Sequence, residues 1–376
     1  MKVVYNSFDG RYSDSPRVLY ETYRDTYPGE HVWLADPAHQ HGFPEGTTTV
    51  PIDSVEAVEA LESADLVVAN THLEMDWTKS PSTTYLQTWH GTPLKRIHHD
   101  VLWAPEGRLA ELDRDVARWD YLVSPNAVST PRLRAAFDYS GPVLETGYPR
   151  NDLLTSPEAP SVRARVRAAL GIADGVTAVL YTPTWRDHDY FEPPAGGLHF
   201  ALPLASFAEA LGPEIRLLPR LHYKVTHLGA PEDVAGVVDV SRYPDVAELY
   251  LAADVMVTDY SSTMFDFAAT GKPMVFYAYD LEAYRDTLRG FYFDLGPVAP
   301  GPLVSRPDEL LEVLAALHGG HVSRRRRYRR FRSTFNPLDD GDSTARLGPV
   351  YEEAARRAGG LLPHEDARTA ALALTR

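Results

Sequence analysis

Four stretches of this chain put proton-accepting or anion-holding side chains directly after runs of strand-type residues. The first is Gln87-Thr88-Trp89-His90-Gly91-Thr92-Pro93-Leu94-Lys95. A neutral imidazole accepts a proton near pH 7, so His90 could act as a general base. Gly91 and Pro93 would fix a tight turn that aims the ring, and Lys95 could serve an anion. The plainer reading is a histidine that only satisfies a backbone carbonyl. The second is Thr182-Pro183-Thr184-Trp185-Arg186-Asp187, in which hydroxyls, an indole and a guanidinium suit a phosphate or a polar ring. Its plainer reading is a surface pair between Arg186 and Asp187. The third is Leu217-Leu218-Pro219-Arg220-Leu221-His222-Tyr223-Lys224. In extended backbone Arg220, His222 and Lys224 share one face, either as a phosphoryl-binding strip or as the wet side of an edge strand. The fourth is Thr258-Asp259-Tyr260-Ser261-Ser262-Thr263-Met264-Phe265-Asp266. A helix starting near Ser262 would offer N–H groups and hydroxyls to a pyrophosphate, a role compatible with ordinary capping by Ser.

These stretches need elements to carry them. Val3–Tyr5, His31–Leu34, Asp65–Val68, Tyr85–Trp89 and Tyr121–Val123 read as strands, the third ending at Ala69-Asn70. Helix-like segments around Arg17–Tyr27, Ser54–Ser63 and Pro105–Ala117 alternate with them. The rhythm pauses at Ser140–Asp152, and Ser156–Pro160 adds two prolines. A second series follows, with strands at Ala178–Thr182, Ile215–Pro219, Gly236–Asp239, Val255–Thr258 and Met274–Tyr277, and helices at Asp245–Ala253 and Ser262–Ala269. The last stretch reads as mostly helical. The expected division is residues 1–155, 156–345 and a helical segment at 346–376. Alternating strands and helices specify parallel sheets covered by helices, and such sheets bind ligands beyond the carboxyl ends of their strands.

Composition narrows the function. The chain has 376 residues, 52 Asp plus Glu against 37 Lys plus Arg, a net charge of −15 and no cysteine. Disulfides, thiolate metal sites and cysteine nucleophiles are excluded. The acidic balance argues against nucleic acid as a partner. The MKVVYNSFDG start lacks an apolar signal-peptide core, and no apolar run reaches the length of a spanning helix. The expected location is cytoplasmic, with any contact to the inner face of the cell membrane peripheral. Arg324–Arg332, RRRRYRRFR, is either a solvated helix face or a contact for anionic headgroups or a polyphosphate chain. His39-Gln40-His41 and His98-His99-Asp100 show no third ligand at metal spacing and read as solvated loops. Asp187-His188-Asp189 and Asp339-Asp340-Gly341-Asp342 could bind a divalent cation but read more simply as charged loops, so no cofactor is expected and a divalent metal requirement stays open.

Taken together, these motifs resemble the CDP-glycerol glycerophosphotransferases of teichoic acid and capsule synthesis. The resemblance runs from SFDG at Ser7–Gly10 through YLQTWHGTPLK, WDYLVSPN and ETGYPRNDLL, then YTPTWRD, LPRLHYK, the long block Glu248–Asp294 and FNPLDDGDST. It implies a GT-B-like pair of Rossmann-type domains and transfer of a polyol phosphate, glycerol or ribitol, from a CDP-activated donor to a lipid-linked or glycan hydroxyl, releasing CMP. Carried onto this chain, the catalytic histidines fall on His90 and His222, and the donor-phosphate loop on Thr258–Thr263. Ser15 stands where family members often have Asn, and Pro219 interrupts a basic run. The size is nearer that of primases than of long polymerising members.

The implied mechanism makes His90 the base on the acceptor hydroxyl. His222, Arg220, Arg186 and Ser261, Ser262 and Thr263 would stabilise the phosphoryl charge, and Asp266 would hold ribose hydroxyls. Thr92, Lys95 and Asn70 are acceptor-side or supporting residues; the Asn70 amide is the nearest strand-end candidate to orient His90 but could not stabilise its charge, so the sequence identifies no orienting carboxylate. The alternatives are a GT-B glycosyltransferase using a nucleotide sugar and a non-catalytic binding protein.

Overall fold

Runs such as Leu66–Ala69 and Val255–Thr258 are apolar almost throughout and buried at every position, so they are stable only with both faces covered. The computed structural model describes residues 1–186, 201–222, 234–318 and 325–359 and builds these runs into two all-parallel sheets. The first has seven strands: β1 (Lys2–Asn6), β2 (Glu30–Ala35), β3 (Thr49–Pro51), β4 (Leu66–Ala69), β5 (Thr84–Gln87), β6 (Tyr121–Ser124) and β7 (Val143–Glu145), in the order β3-β2-β1-β4-β5-β6-β7. The second has five: β8 (Thr177–Thr182), β9 (Ile215–Pro219), β10 (Val255–Thr258), β11 (Met274–Tyr277) and β12 (Leu303–Val304), in the order β12-β11-β10-β8-β9.

Strand side chains alternate between two cores in each sheet. In the first, Val4, Val67 and Tyr85 face one core, while Val3, Tyr5, Leu66 and Val68 face the other. In the second, Leu180, Met256 and Phe276 face one core, while Val179, Val257 and Tyr277 face the other. The helix Gly348–Arg357 returns to the first sheet, where Val350, Tyr351 and Ala354 pack beside Tyr5 and Tyr23.

The expected strands appear, with one correction. Gly236–Asp239 forms no strand; it makes a single parallel bridge, Val237 to Leu217, on the outer edge of β9. The edge strands β3, β7 and β12 were not foreseen, being three, three and two residues long and lacking an apolar run. β7 lies within the turn-rich Ser140–Asp152 stretch.

Strand order reverses between β1 and β4, and again between β8 and β10. At each reversal neighbouring loops part and leave a crevice. The loops at these points carry Ser7–Ser13 and Asn70 on one side, and Pro183–Arg186 and Asp259–Thr263 on the other. Two joints hold the sides together. Leu94 is buried in the core of the second sheet, its carbonyl accepts from Tyr292 N at 2.8 Å, and Arg96 N donates to the Gly290 carbonyl at 3.0 Å. Deeper down, the buried Arg150 donates to Asp14 Oδ2 at 2.8 Å and to Asp266 Oδ2 at 2.9 Å. Asn151 donates to Asp266 Oδ1 at 3.0 Å, and Asp152 accepts from the backbone N–H groups of Ser343 and Thr344.

Removing Arg150 leaves two carboxylates stranded in the interior, a defect worth about 3–5 kcal/mol. Arg150→Met is expected to lower the unfolding free energy by roughly that amount in urea denaturation. A loss below about 1 kcal/mol, the scale of a surface pair, would show that the joint contributes little.

Candidate active site

The strand-end histidine is aimed by its neighbours. After β5 the buried Gln87 accepts from Trp89 N at 2.9 Å through Oε1, and its amide donates to the Thr71 carbonyl at 3.0 Å. Trp89 takes the left-handed conformation, φ 54°, and its indole packs edge-on to Phe137. This reverses the chain and turns the His90 ring toward β4. Gly91 has a different task from the expected turn: a Cβ there would lie 2.8 Å from Ser262 Oγ, so the missing side chain lets the two sides approach.

His90 Nδ1 lies in hydrogen-bond contact with the Asn70 carbonyl. A carbonyl only accepts, so Nδ1 carries the proton and the neutral ring keeps its Nε2 lone pair free. Burial pushes the imidazole down to about 4, against the opposing pull of the Asn70 carbonyl and Asp14. The ring is therefore uncharged at neutral pH and able to accept a proton. Asn70 orients it through its backbone, not the expected side-chain amide. That amide is occupied in the SFDG turn, where Oδ1 accepts from Phe8 N at 2.9 Å and Nδ2 donates to Ser7 Oγ at 3.2 Å. Phe8 and Asp9 are both left-handed there, and Gly10, φ 99°, could not carry a Cβ, which would meet Asp36 N at 2.2 Å.

The cleft opens as two adjoining cavities. Both are lined by His90, His222, Pro183, Ser261 and Ser262. The first adds Phe8, Arg11, Arg150, Arg220, Thr263 and Asp266; the second adds Thr92, Lys95, Thr184 and Trp185. His222 stacks on Trp185 with ring centroids 5.6 Å apart. Thr263 Oγ1 and Thr182 Oγ1 lie 3.0 Å apart. Arg220 is the distinctive cation of the first cavity. Its Nη1 donates to the carbonyls of Val240 and Tyr243, and among the described residues no carboxylate forms an ion pair with it. Asp14 and Asp266 are bound to Arg150, and Asp245 to Arg17 at 3.0 Å. Burial pushes the Arg220 guanidinium down from its ordinary value. Asp245 and Asp239 offset this only through space, and a half-buried cation with no carboxylate in direct contact favours an anionic ligand.

Two expected contacts lie elsewhere. Arg186 is buried with its guanidinium on Asp280 at 2.8 and 2.9 Å and on Asp259 at 3.1 Å, so it braces the loop after β8. Asp187 falls outside the described residues, as do His188, Asp189, Tyr223, Lys224 and Arg324. Thr258 is buried and donates to the Thr182 carbonyl inside the sheet. Asp266 reaches the cavity, and each of its oxygens accepts from Arg150 or Asn151, so it is part of the joint. Phe8, Arg11, Asp14 and Arg150 were missed as site residues. The SFDG and ETGYPRND motifs held the signal, since polar residues there follow β1 and β7.

Two Rossmann-type sheets with their switch-point loops facing one cleft define the GT-B class. Residues 1–350 match the family model described as CDP-Glycerol:Poly(glycerophosphate) glycerophosphotransferase. The chain is 36% identical over 357 residues to the teichoic acid glycerol-phosphate transferase of Staphylococcus aureus, covering 92% of this chain and 91% of that protein. It is also 36% identical over 358 residues to the teichoic acid poly(glycerol phosphate) polymerase of Bacillus subtilis, of which it spans 48%. The solved wall teichoic acid polymerase TagF superposes with a TM-score of 0.83 at 32% identity over 95% of this chain and 90% of that one. A TagF variant soaked with CDPG gives the same score. The UDP-GlcNAc 2-epimerase of Neisseria meningitidis, at 13% identity and a TM-score of 0.51 over 93% of this chain and 99% of that one, shares the fold alone. The chain belongs to the CDP-glycerol:poly(glycerophosphate) glycerophosphotransferase family and is a transferase of the teichoic acid type.

The tautomer and acidity of His90 are directly measurable. Imidazole ¹⁵N NMR, assigned by His90→Gln, is expected to show a ring protonated at Nδ1 that titrates well below the ordinary 6.5. A proton on Nε2 at pH 7, or a titration near 6.5, would contradict the geometry.

Proposed function

We propose that this protein moves glycerol phosphate, or ribitol phosphate, from a CDP-activated donor to a hydroxyl of a lipid-linked or glycan acceptor. The acceptor O–H gives its proton to His90 Nε2 as its oxygen bonds to the phosphorus that bears the polyol. The bond from that phosphorus to the bridging oxygen breaks in line, and CMP leaves with the electron pair. A positioned base contributes about 10²–10⁴-fold to such a step. The remaining catalysis is positioning and charge stabilisation. Arg220 and the hydroxyls of Ser261, Ser262 and Thr263 hold the donor diphosphate, and His222 stabilises charge on the phosphoryl or leaving oxygens. Thr92 and Lys95 line the acceptor side.

The observation that carries this reading is the opposition, across one cleft, of a neutral imidazole whose Nε2 faces away from the Asn70 carbonyl and a half-buried guanidinium lacking a carboxylate ion pair among the described residues. The membrane side of the reading rests on the helix Arg325–Phe335. Phe331 and Phe335 pack on Phe265, while Arg326, Arg327, Arg330 and Arg332 are exposed. Such a face gains about 1 kcal/mol per basic residue near an anionic surface. The work is then done in the cytoplasm, against the inner face of the membrane. No helix among the described residues is long and apolar enough to cross a membrane.

Mass spectrometry of products from CDP-glycerol or CDP-ribitol, with a lipid-linked acceptor in neutral or anionic vesicles, tests donor, acceptor and surface together. Acceptor mass should rise by one or more polyol-phosphate units, with CMP released and faster turnover on anionic vesicles. UDP release from UDP-sugars with no reaction of either CDP donor would overturn the assignment. Equal rates on both vesicle types would remove the membrane role of the arginine helix.

A further inference from the structure

A pair of histidines outside the proposed chemistry meets a carboxylate that their spacing did not reveal. His98 and His99 sit in the short turn His98–Asp100, beyond Lys95. Asp113 projects from the helix Arg108–Val116. His99 Nε2 lies 2.8 Å from Asp113 Oδ1, and His98 Nε2 lies 3.7 Å from the same oxygen. One donor atom from each of the three side chains falls within a 4.8 Å cluster.

His98 is the second and independent observation. The residue is only 7% exposed, and apart from a loose approach to the Ala136 backbone neither ring nitrogen meets a hydrogen-bond partner among the described residues. Its imidazole is walled by the rings of His72 and Phe137. A core histidine ordinarily donates one nitrogen to a backbone carbonyl and offers the other to a donor; leaving a buried polar atom unmet costs about 1–3 kcal/mol. The backbone is also strained to point the ring inward, since His98 is left-handed at φ 48°. His99 and Asp113 are partly exposed, so an ion has a route in.

We propose that His98, His99 and Asp113 form a zinc-type divalent cation site. Two imidazoles and one carboxylate are a zinc donor set, with water completing the tetrahedron. A bound ion would satisfy His98 Nε2 and clamp the Ile97–Asp100 turn to the Arg108–Val116 helix. Ile97, His98 and Arg108 line the same cavity as His90, so the clamp would stiffen the acceptor-side wall.

The test uses the full chain stripped with EDTA and titrated with zinc chloride alone, by calorimetry and by thermal melting. One zinc per chain is expected at this site, with a melting temperature that rises with zinc. Asp113→Asn and His99→Ala should each weaken binding by about tenfold or more and remove the zinc-dependent melting shift. His39→Ala, in the other histidine pair, should leave both unchanged. No zinc uptake by the unaltered protein, wild-type affinity in both Asp113→Asn and His99→Ala, or loss of binding in His39→Ala would overturn the proposal.

Discussion

The contact on which the arrangement depends is the bridge from Arg150 to Asp14 and Asp266. It runs from the start of the helix Asp14–Tyr23, just after the first switch-point loop, through the segment after β7, to the helix that follows β10. Burial alone would weaken the charge on Arg150, yet the two carboxylates hold it raised, while burial pushes Asp266 up from its ordinary value. Such a network is costly to assemble and costlier to break, because each group depends on the others for compensation. Its effect is geometric. With the joint made, and Leu94 seated in the second core, the His90 loop meets the Ser262 loop at a separation only glycine allows.

That approach gives the cleft its electrical character. The chain carries a net charge of −15, yet the acids lining the first cavity are matched by Arg150 and Arg17. Arg220 keeps only carbonyl partners among the described residues. An anionic ligand thus meets a generally repulsive surface and a locally attractive pocket, an arrangement that favours specific over diffuse binding. Opposite it, the Asn70 carbonyl fixes the His90 tautomer without a carboxylate. The imidazole is thereby oriented and kept neutral.

The strands were legible because a parallel sheet needs short, continuously apolar segments, and residues such as Val255–Thr258 have no other use. Edge strands escaped because two or three residues carry no period. His90 was legible from its place after β5, but its aiming was not: the turn depends on Gln87 and on a left-handed Trp89, where Gly91 and Pro93 had seemed sufficient. Arg186 illustrates the harder limit. A guanidinium after a strand reads the same whether it meets phosphate or carboxylate, and its partner Asp280 lies 94 positions away. Arg150 hid for the opposite reason, since ETGYPRND reads as turn formers until Asp14 and Asp266 come together around it.

The central claim is a division of labour across the cleft, with proton transfer on one wall and donor grip on the other. Steady-state kinetics of CMP release, paired with equilibrium binding of CDP-glycerol, separates the two in His90→Ala and Arg220→Gln. The account predicts that His90→Ala binds donor normally while kcat falls by about 10²-fold or more, and that Arg220→Gln loses donor affinity. A His90→Ala enzyme that keeps most of its turnover, or an Arg220→Gln enzyme that binds donor as before, would contradict it.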